Sequence, residues 1–132
     1  MKEHGFVATE WVAALALLLL PVVVLAATLP SWAERSHTAT VAAREAARTV
    51  VDEWPQPATA DATHAAQDVA RDHGVSSDDI DVQVRAAVPP RGGAVRVDVW
   101  MTMPAISVAG IRVGAWRYHA VAIRRIDDYR SA

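Results

Sequence analysis

The sequence predicts an α+β protein with a long N-terminal transmembrane and amphipathic helix, a short second helix, and a small antiparallel β-sheet made of a hairpin plus a final strand. Three observations predict this fold class. An uncharged apolar run lies near the N-terminus, an Ala-rich segment with helical spacing follows it, and apolar residues alternate with polar ones in the last third of the chain. At 132 residues the chain has room for one modest domain beyond the apolar run.

The apolar run has the length of a membrane span. No residue from 11 to 33 is charged, and residues 11–29 are nearly all apolar. As a helix these roughly 19 residues would be about 28 Å long, close to the thickness of a bilayer hydrocarbon core. A soluble core helix would show a polar face at every turn, which this run lacks. The run predicts a single-pass membrane helix, in which Pro21 removes one backbone hydrogen bond and predicts a kink.

An acidic residue stands directly before the apolar run. Glu10 follows a short leader, Met1-Lys-Glu-His-Gly5, that carries one Lys against one Glu. A secretory signal peptide normally has a positive N-terminal region and a clean apolar stretch, so an acid at this place argues against one. Ser31-Trp-Ala33 nevertheless offers a small-x-small cleavage site, and secretion after a cut there stays open as an alternative.

The position of Glu10 is costly in a membrane. An ionised carboxylate at the centre of a membrane helix costs on the order of 3 kcal/mol, and less near the interface. Two explanations are open: the side chain snorkels to the lipid headgroups, or a positive group lies close to it in an assembled state.

The stretch Gly5-Phe6-Val7-Ala8-Thr9-Glu10, followed directly by the apolar run, resembles the processing signature of type IV prepilins. The resemblance implies cleavage between Gly5 and Phe6 by prepilin peptidase, and a mature chain that starts at Phe6, often N-methylated. It also implies that Glu10 pairs with an N-terminal amine during assembly. A cut there would create a cationic amine one helical turn from Glu10, which would neutralise the acid.

The order of elements is similar to that of TadE-like minor pilins and pseudopilins of tight-adherence (Flp-type) pili, with Ala42-Ala-Arg-Glu-Ala-Ala-Arg48 as the Ala/Arg-rich helix. The resemblance implies a non-enzymatic subunit of a bacterial surface pilus that functions in cell adhesion. Before assembly it would lie in the cytoplasmic membrane, with its C-terminal domain extracytoplasmic. The implied partners are other pilin subunits through the N-terminal helix, prepilin peptidase, the inner-membrane pilus assembly machinery and membrane lipid.

A rival interpretation is a single-pass envelope protein whose extracytoplasmic domain binds a partner. On the pilin interpretation the chain divides into a leader (1–5), a transmembrane or filament-core helix (6–30), an amphipathic continuation of that helix (31–54) and a small α+β domain (55–132). Whether the protein is a major, tip or priming subunit stays open.

Helical spacing continues after the apolar run and is then replaced by alternation. Pro55 and Pro57 end the first helix, whose apolar face consists of Ala43, Ala47, Val50 and Trp54. Residues 61–73 predict a second helix with Gly74 as its C-cap. Alternation over 80–88 and 95–103, around a turn at 89–93, predicts the hairpin. A third strand is expected over 116–126, and 104–114 reads as a connector of unassigned structure.

The chemistry of an enzyme, a metal centre or a nucleic-acid interface is not evident in the sequence. There is no Cys, the net charge is −2, and the five His residues are scattered. His73 lies near four acids that suggest at most a weak cation site, and turn capping explains them better: Asp72, Asp78, Asp79 and Asp81. We therefore expect no cofactor, metal or nucleic-acid partner. Trp100 and Trp116 are candidates either for core packing or for an exposed interface anchor.

Overall fold

The computed structural model of the chain describes residues 4–85, 90, 92–108, 111–114 and 116–127. Its elements, in chain order, are α1 (His4–Glu53), α2 (Thr59–Asp72), a 3-10 turn (Ser77–Asp79), β1 (Ile80–Arg85), β2 (Ala94–Thr102), β3 (Ile106–Val108), β4 (Ile111–Val113) and β5 (Arg117–Arg125). A long apolar helix, a short helix and a three-stranded antiparallel sheet confirm the predicted α+β class.

Helix α1 is about 75 Å long at the usual rise per residue, and it runs through both Pro21 and Pro30. The predicted membrane helix and its amphipathic continuation are therefore parts of one element. It ends at Glu53, two residues before Pro55, where the loss of a backbone donor and the restricted φ of proline oppose further helix.

Only the C-terminal half of α1 is packed into the domain. Thr38 is the first fully buried residue among those described in this helix. Beyond it a stripe of small side chains allows α1 to lie close to α2 and to the sheet. The alanines of α1 and α2 that have no exposed surface, together with Ala58 directly before α2, are Ala39, Ala42, Ala43, Ala46, Ala47, Ala58, Ala62, Ala66 and Ala70. Small side chains at such a seam let helix backbones approach closely while interior packing density is kept.

Helix α2 returns alongside α1 and ends one residue before its predicted C-terminus. Gly74 has a φ of 71°, the left-handed conformation that glycine adopts without steric cost. The backbone N–H of Val75 donates to Ala70 O at 2.8 Å, and that of Gly74 donates to Arg71 O at 2.9 Å. These bonds satisfy carbonyl groups at the end of the helix, as expected for a glycine-terminated C-cap.

The main sheet has the order β1-β2-β5, and both pairings are antiparallel. Val82 lies opposite Val99, and Val99 lies opposite Ala120. The predicted hairpin and final strand are both present. The order of strands, which the sequence left open, places β2 at the centre, so β1 and β5 are the two edges.

One face of this sheet packs against α1 and α2 and forms the core. Alternation puts every second residue of β2 and β5 on this inner face. Its buried residues on these two strands are Val95, Val97, Val99, Met101, Ala120 and Ala122. Val50 of α1 and Ile126, which follows β5, complete the same apolar cluster. The domain therefore has a core of its own that does not use residues 11–29.

The connector from 104 to 114, which the sequence left unassigned, has regular structure. It contains a two-stranded antiparallel ribbon in which Ile106 lies opposite Val113. The sequence signal was weak because each strand has only three residues. The predicted extension of β1 to Val88 lies outside the described residues. The described part of the hairpin turn is closed by a bond of 2.8 Å from Gly93 N to Pro90 O.

Candidate functional site

The first candidate site is the uncovered N-terminal half of α1, residues 11–29, which we name the apolar rod. Its large side chains are exposed, with Leu17 at 78% of its accessible surface. In the part of the chain that the structure describes, α1 is the one helix long and apolar enough to cross a membrane. None of its most apolar 18-residue window is buried within the protein. Exposed apolar surface of this extent is unfavourable in water.

Glu10 lies at the N-terminal end of the apolar rod and is exposed. With Trp11 and Ala14 it lines a shallow depression on the helix surface. Among the described residues no salt bridge involves Glu10. The carboxylate is therefore available to a group from outside the described chain.

The predicted processing site lies at the start of α1. The backbone of Gly5 and Phe6 is helical, and their side chains lie outside the described residues. Glu10 is on the same helix, four residues after Phe6, so about one helical turn separates the predicted new N-terminus from the acid. The cleavage itself stays a prediction.

Polar groups inside the apolar rod are paired locally. Thr28 Oγ1 donates to Val24 O at 3.2 Å and to Leu25 O at 2.9 Å, so its hydroxyl is satisfied within the helix. This pairing makes the hydroxyl tolerable in an apolar surrounding. The helix continues through Pro21, and the predicted kink at this residue stays a prediction.

The second candidate site is the outer face of the sheet, opposite the core. At its centre Asp98 of β2 is 1% exposed, although the neighbouring Val121 and Ile123 on this face are exposed. Arg96 binds it through Nε at 3.0 Å from Oδ2 and through Nη2 at 2.9 Å from Oδ1. His119 Nε2 on β5 lies 2.9 Å from Oδ1, and Arg85 Nε on β1 lies 3.3 Å from Oδ2. We name these four residues the outer-face cluster; it joins all three strands.

Aromatic and aliphatic side chains extend this outer face. The Trp100 indole stacks on the His119 ring, with centroids 4.6 Å apart and planes 8° from parallel. On β5, Val121 and Ile123 are exposed at 41% and 64%. The face therefore combines a buried acid, exposed cations and apolar surface. The prediction that Trp100 is either a core residue or an interface anchor resolves to a partly exposed position outside the core.

The groups around Asp98 lower the pKa of its carboxyl. Hydrogen bonds from Arg96 lower the pKa of the Asp98 carboxyl most, burial opposes the change, and the bond to His119 and the charges of Arg96 and Arg85 lower it further, to about 2. The same contacts raise the pKa of Arg96. Asp98 is thus an ionised structural acid at neutral pH, and it has no spare proton to transfer.

The depressed pKa of Asp98 predicts a loss of stability in acid. A carboxyl with a lower pKa in the folded state stabilises the fold above its ordinary pKa of 3.8, and that contribution is lost as the pH falls through 3.8 towards 2. Because the side chains of its partners Arg96, Arg85 and His119 are each substantially exposed, we expect this contribution to the free energy of unfolding to be roughly 1–2 kcal/mol. Urea unfolding in detergent micelles at pH 6 and pH 2.5 should show a smaller acid-induced loss of stability for Asp98→Asn than for the unmodified chain. Asp81→Asn, an exposed control, should behave as the unmodified chain does. Equal losses for all three chains would contradict the assignment.

The acids near His73 are paired with arginines or used in a turn. Asp79 lies 3.3 Å from Arg35 Nη1, and Asp81 lies 3.6 Å from Arg117 Nη2. The Asp78 N–H donates to Ser76 Oγ at 3.4 Å. Within the described ranges no group of three or more His, Cys, Asp or Glu residues is arranged to hold a metal ion. Two of these acids are therefore in ion pairs with arginines, and the capping side chain of this turn is that of Ser76; capping by the acids themselves stays a prediction.

The sequence analysis did not single out Asp98 or its cluster. One signal was present: an Asp in the middle of a Val-rich strand is unfavourable for β-structure and needs a compensating contact. The cross-strand partners could not be identified, because they depend on strand order and register. Comparison with models of protein families, with curated proteins and with solved structures found no match to this chain.

Proposed function

We propose that this protein is a minor pilin or pseudopilin, a non-enzymatic structural subunit that is packed into a surface pilus through the apolar rod. The observation that carries the proposal is that one continuous helix joins an exposed apolar rod to a separately packed domain. A rod that no other described part of the chain covers needs lipid before assembly and neighbouring rods after it. Membrane and filament are then alternative ways to shield one surface.

The energetics support the exchange between the two surroundings. Burying one Leu or Val side chain is worth roughly 1.5–3 kcal/mol relative to water, so the rod is not released into solution at any stage. Lipid tails and neighbouring helices are both apolar, so moving the rod from one to the other costs little by the hydrophobic effect alone. Hydrogen bonds and ion pairs between helices must then determine the axial offset between neighbouring subunits, which we call the stagger.

Glu10 is suited to that role. An acid buried without a positive partner is strongly unfavourable, and the same acid beside an ammonium group is tolerated. A free amine on Phe6, generated by prepilin peptidase, would supply that group from its own or a neighbouring subunit. Glu10 would therefore penalise staggers in which no amine reaches it.

Replacing Glu10 tests this role. We expect Glu10→Ala and Glu10→Gln to insert into the membrane as well as the unmodified chain, because removing a charge lowers the cost of insertion. Their incorporation into filaments should fall at least tenfold, which corresponds to about 1.4 kcal/mol. The measurement is the ratio of chain in the sheared filament fraction to chain in the membrane fraction.

A matched control is available on the same helix. Glu34 is also exposed but lies beyond the apolar rod, so Glu34→Gln should assemble normally. Equal filament incorporation of the Glu10 variants and the unmodified chain would refute the pairing role.

One specific observation favours a second function. The outer face of the sheet exposes Ile123 and the Trp100–His119 pair, a combination of aromatic and aliphatic groups that suits protein recognition. A single-pass envelope protein with a partner-binding domain would use this face without forming filaments. Secretion after Ala33 is less well supported, because the cut would remove Trp32, whose Nε1 donates to Pro104 O at 3.3 Å.

A further inference from the structure

An aromatic corner lies where α1 leaves the domain. The rings of Trp32 and Trp116 meet edge to face, with centroids 5.5 Å apart and planes 79° apart. Trp32 is held by its bond to Pro104 O, and the Trp116 carbonyl accepts from Met103 N at 2.9 Å. Trp116 nevertheless leaves 50% of its surface exposed. The Trp32 side chain and the Trp116 backbone are thus both held by hydrogen bonds, while the Trp116 indole stays partly exposed.

The aromatic corner is continuous with the apolar rod. Beside the two indoles, a shallow groove of about 290 Å³ is lined by Leu29, Ser36, Met103 and Tyr118. Leu29 is the last residue of the rod and is itself exposed. Apolar surface therefore passes from the rod into the domain without interruption.

The fold places this corner at the end of the domain that faces the rod. Thr102, the last residue of β2, lies opposite Arg117, the first residue of β5, beside the corner. Trp32 follows Leu29 by three residues, or about 4.5 Å along the helix axis. A headgroup region is several ångströms thick, so a rod that spans the hydrocarbon core puts both indoles at headgroup depth.

We propose that the aromatic corner is a lipid-contacting surface that seats the domain against the membrane crossed by the rod. The inference rests on the membrane anchoring proposed above. Indole rings favour the boundary between headgroups and acyl chains, because one edge is polar and the rest is apolar. Arg117 at the start of β5 lies beside the corner and is half exposed; it also pairs with Asp81 at 3.6 Å, so its charge is only partly available to an anionic headgroup.

Depth-dependent fluorescence quenching tests the inference. The chain has five tryptophans, at 11, 32, 54, 100 and 116. Full-length variants that retain one of them, with Phe at the others, would be placed in phosphatidylcholine–phosphatidylglycerol vesicles containing lipids brominated at known positions. We expect brominated lipid to reduce the emission of the Trp116-only chain at least twofold. The emission of the Trp54-only chain should change little. Trp54 directly follows the last residue of α1, and the helical rise over the 22 positions from Trp32 places it about 33 Å away along the helix axis.

The Trp11-only chain separates the two levels of the proposal. If Trp11 is quenched and Trp116 is not, the rod is in the bilayer and the seating of the domain is wrong. If Trp11 is also unquenched, membrane anchoring itself fails and the seating fails with it. Quenching of Trp116 at the lowest protein-to-lipid ratio that weakens as this ratio rises also supports the proposal. It would mean that the corner contacts lipid first and that neighbouring subunits then displace the lipid. Absence of quenching at every ratio overturns the proposal.

A single substitution gives a second measurement that does not depend on the multiple variants folding. The unmodified chain and Trp116→Phe are compared in the same vesicles. Brominated lipid should quench a clearly smaller fraction of emission in Trp116→Phe. An unchanged quenched fraction would contradict lipid contact at this corner.

Discussion

A chain that begins at Pro30 is expected to be soluble without detergent and to unfold cooperatively, whereas the full chain needs detergent or lipid. The reason is the separation of the two apolar surfaces on α1. The core begins at Thr38, and the rod contributes nothing to it. The deletion removes eleven large exposed apolar residues, namely Trp11, Val12, Leu15, Leu17, Leu18, Leu19, Leu20, Val22, Val23, Leu25 and Leu29.

The new end of the helix is favourable. Proline is well tolerated in the first turn of a helix, where its missing N–H has no intrahelical acceptor. Trp32 and Arg35 stay in place, and Arg35 Nη1 still donates to Thr102 O at 2.7 Å. Analytical ultracentrifugation and thermal circular dichroism in plain buffer check the result. An aggregated or unfolded truncated chain would mean that the rod is part of the fold.

The substitution Met101→Ala is expected to lower the free energy of unfolding by about 2–5 kcal/mol. Met101 has no exposed surface and lies on the central strand, opposite Ile80 on one side and Tyr118 on the other. Removing its side chain loses apolar contacts and leaves a cavity between the sheet and the helices. Urea unfolding in detergent micelles, followed by tryptophan fluorescence, measures the change.

A control on the other face of the same sheet distinguishes core packing from strand propensity. Val121 is 41% exposed on the outer face of β5, so Val121→Ala should cost less than about 1 kcal/mol. Similar costs for the two variants would contradict the position assigned to the core.

Much of the fold followed from periodicity. A run without charges predicts an exposed apolar helix, and two-residue alternation predicts strands, because each pattern states which face of an element is apolar. Pro55 ends α1 because proline lacks a backbone N–H, and Gly74 ends α2 because glycine tolerates a positive φ. Both ends were therefore predicted to within one or two residues. Helix and strand periodicity and these element ends can be predicted without knowing which elements pack against each other.

The remaining features depend on contacts distant in the chain. The β3–β4 ribbon is held by only three residue pairs, so its propensity signal is weak. The acidity of Asp98 depends on β1 and β5 lying on either side of β2. The pairing of Trp32 with Trp116 spans most of the chain. The roles of Glu10, Gly5 and Phe6 depend on partners, so neither periodicity nor the fold decides them.

The most direct test of the proposed function is the mass of the N-terminal peptide of the protein isolated from its native membrane. The account predicts a chain that starts at Phe6, with or without an added methyl group, because only that cut supplies an ammonium group near Glu10. A chain that still starts at Met1, or one that starts at Glu34, would contradict it.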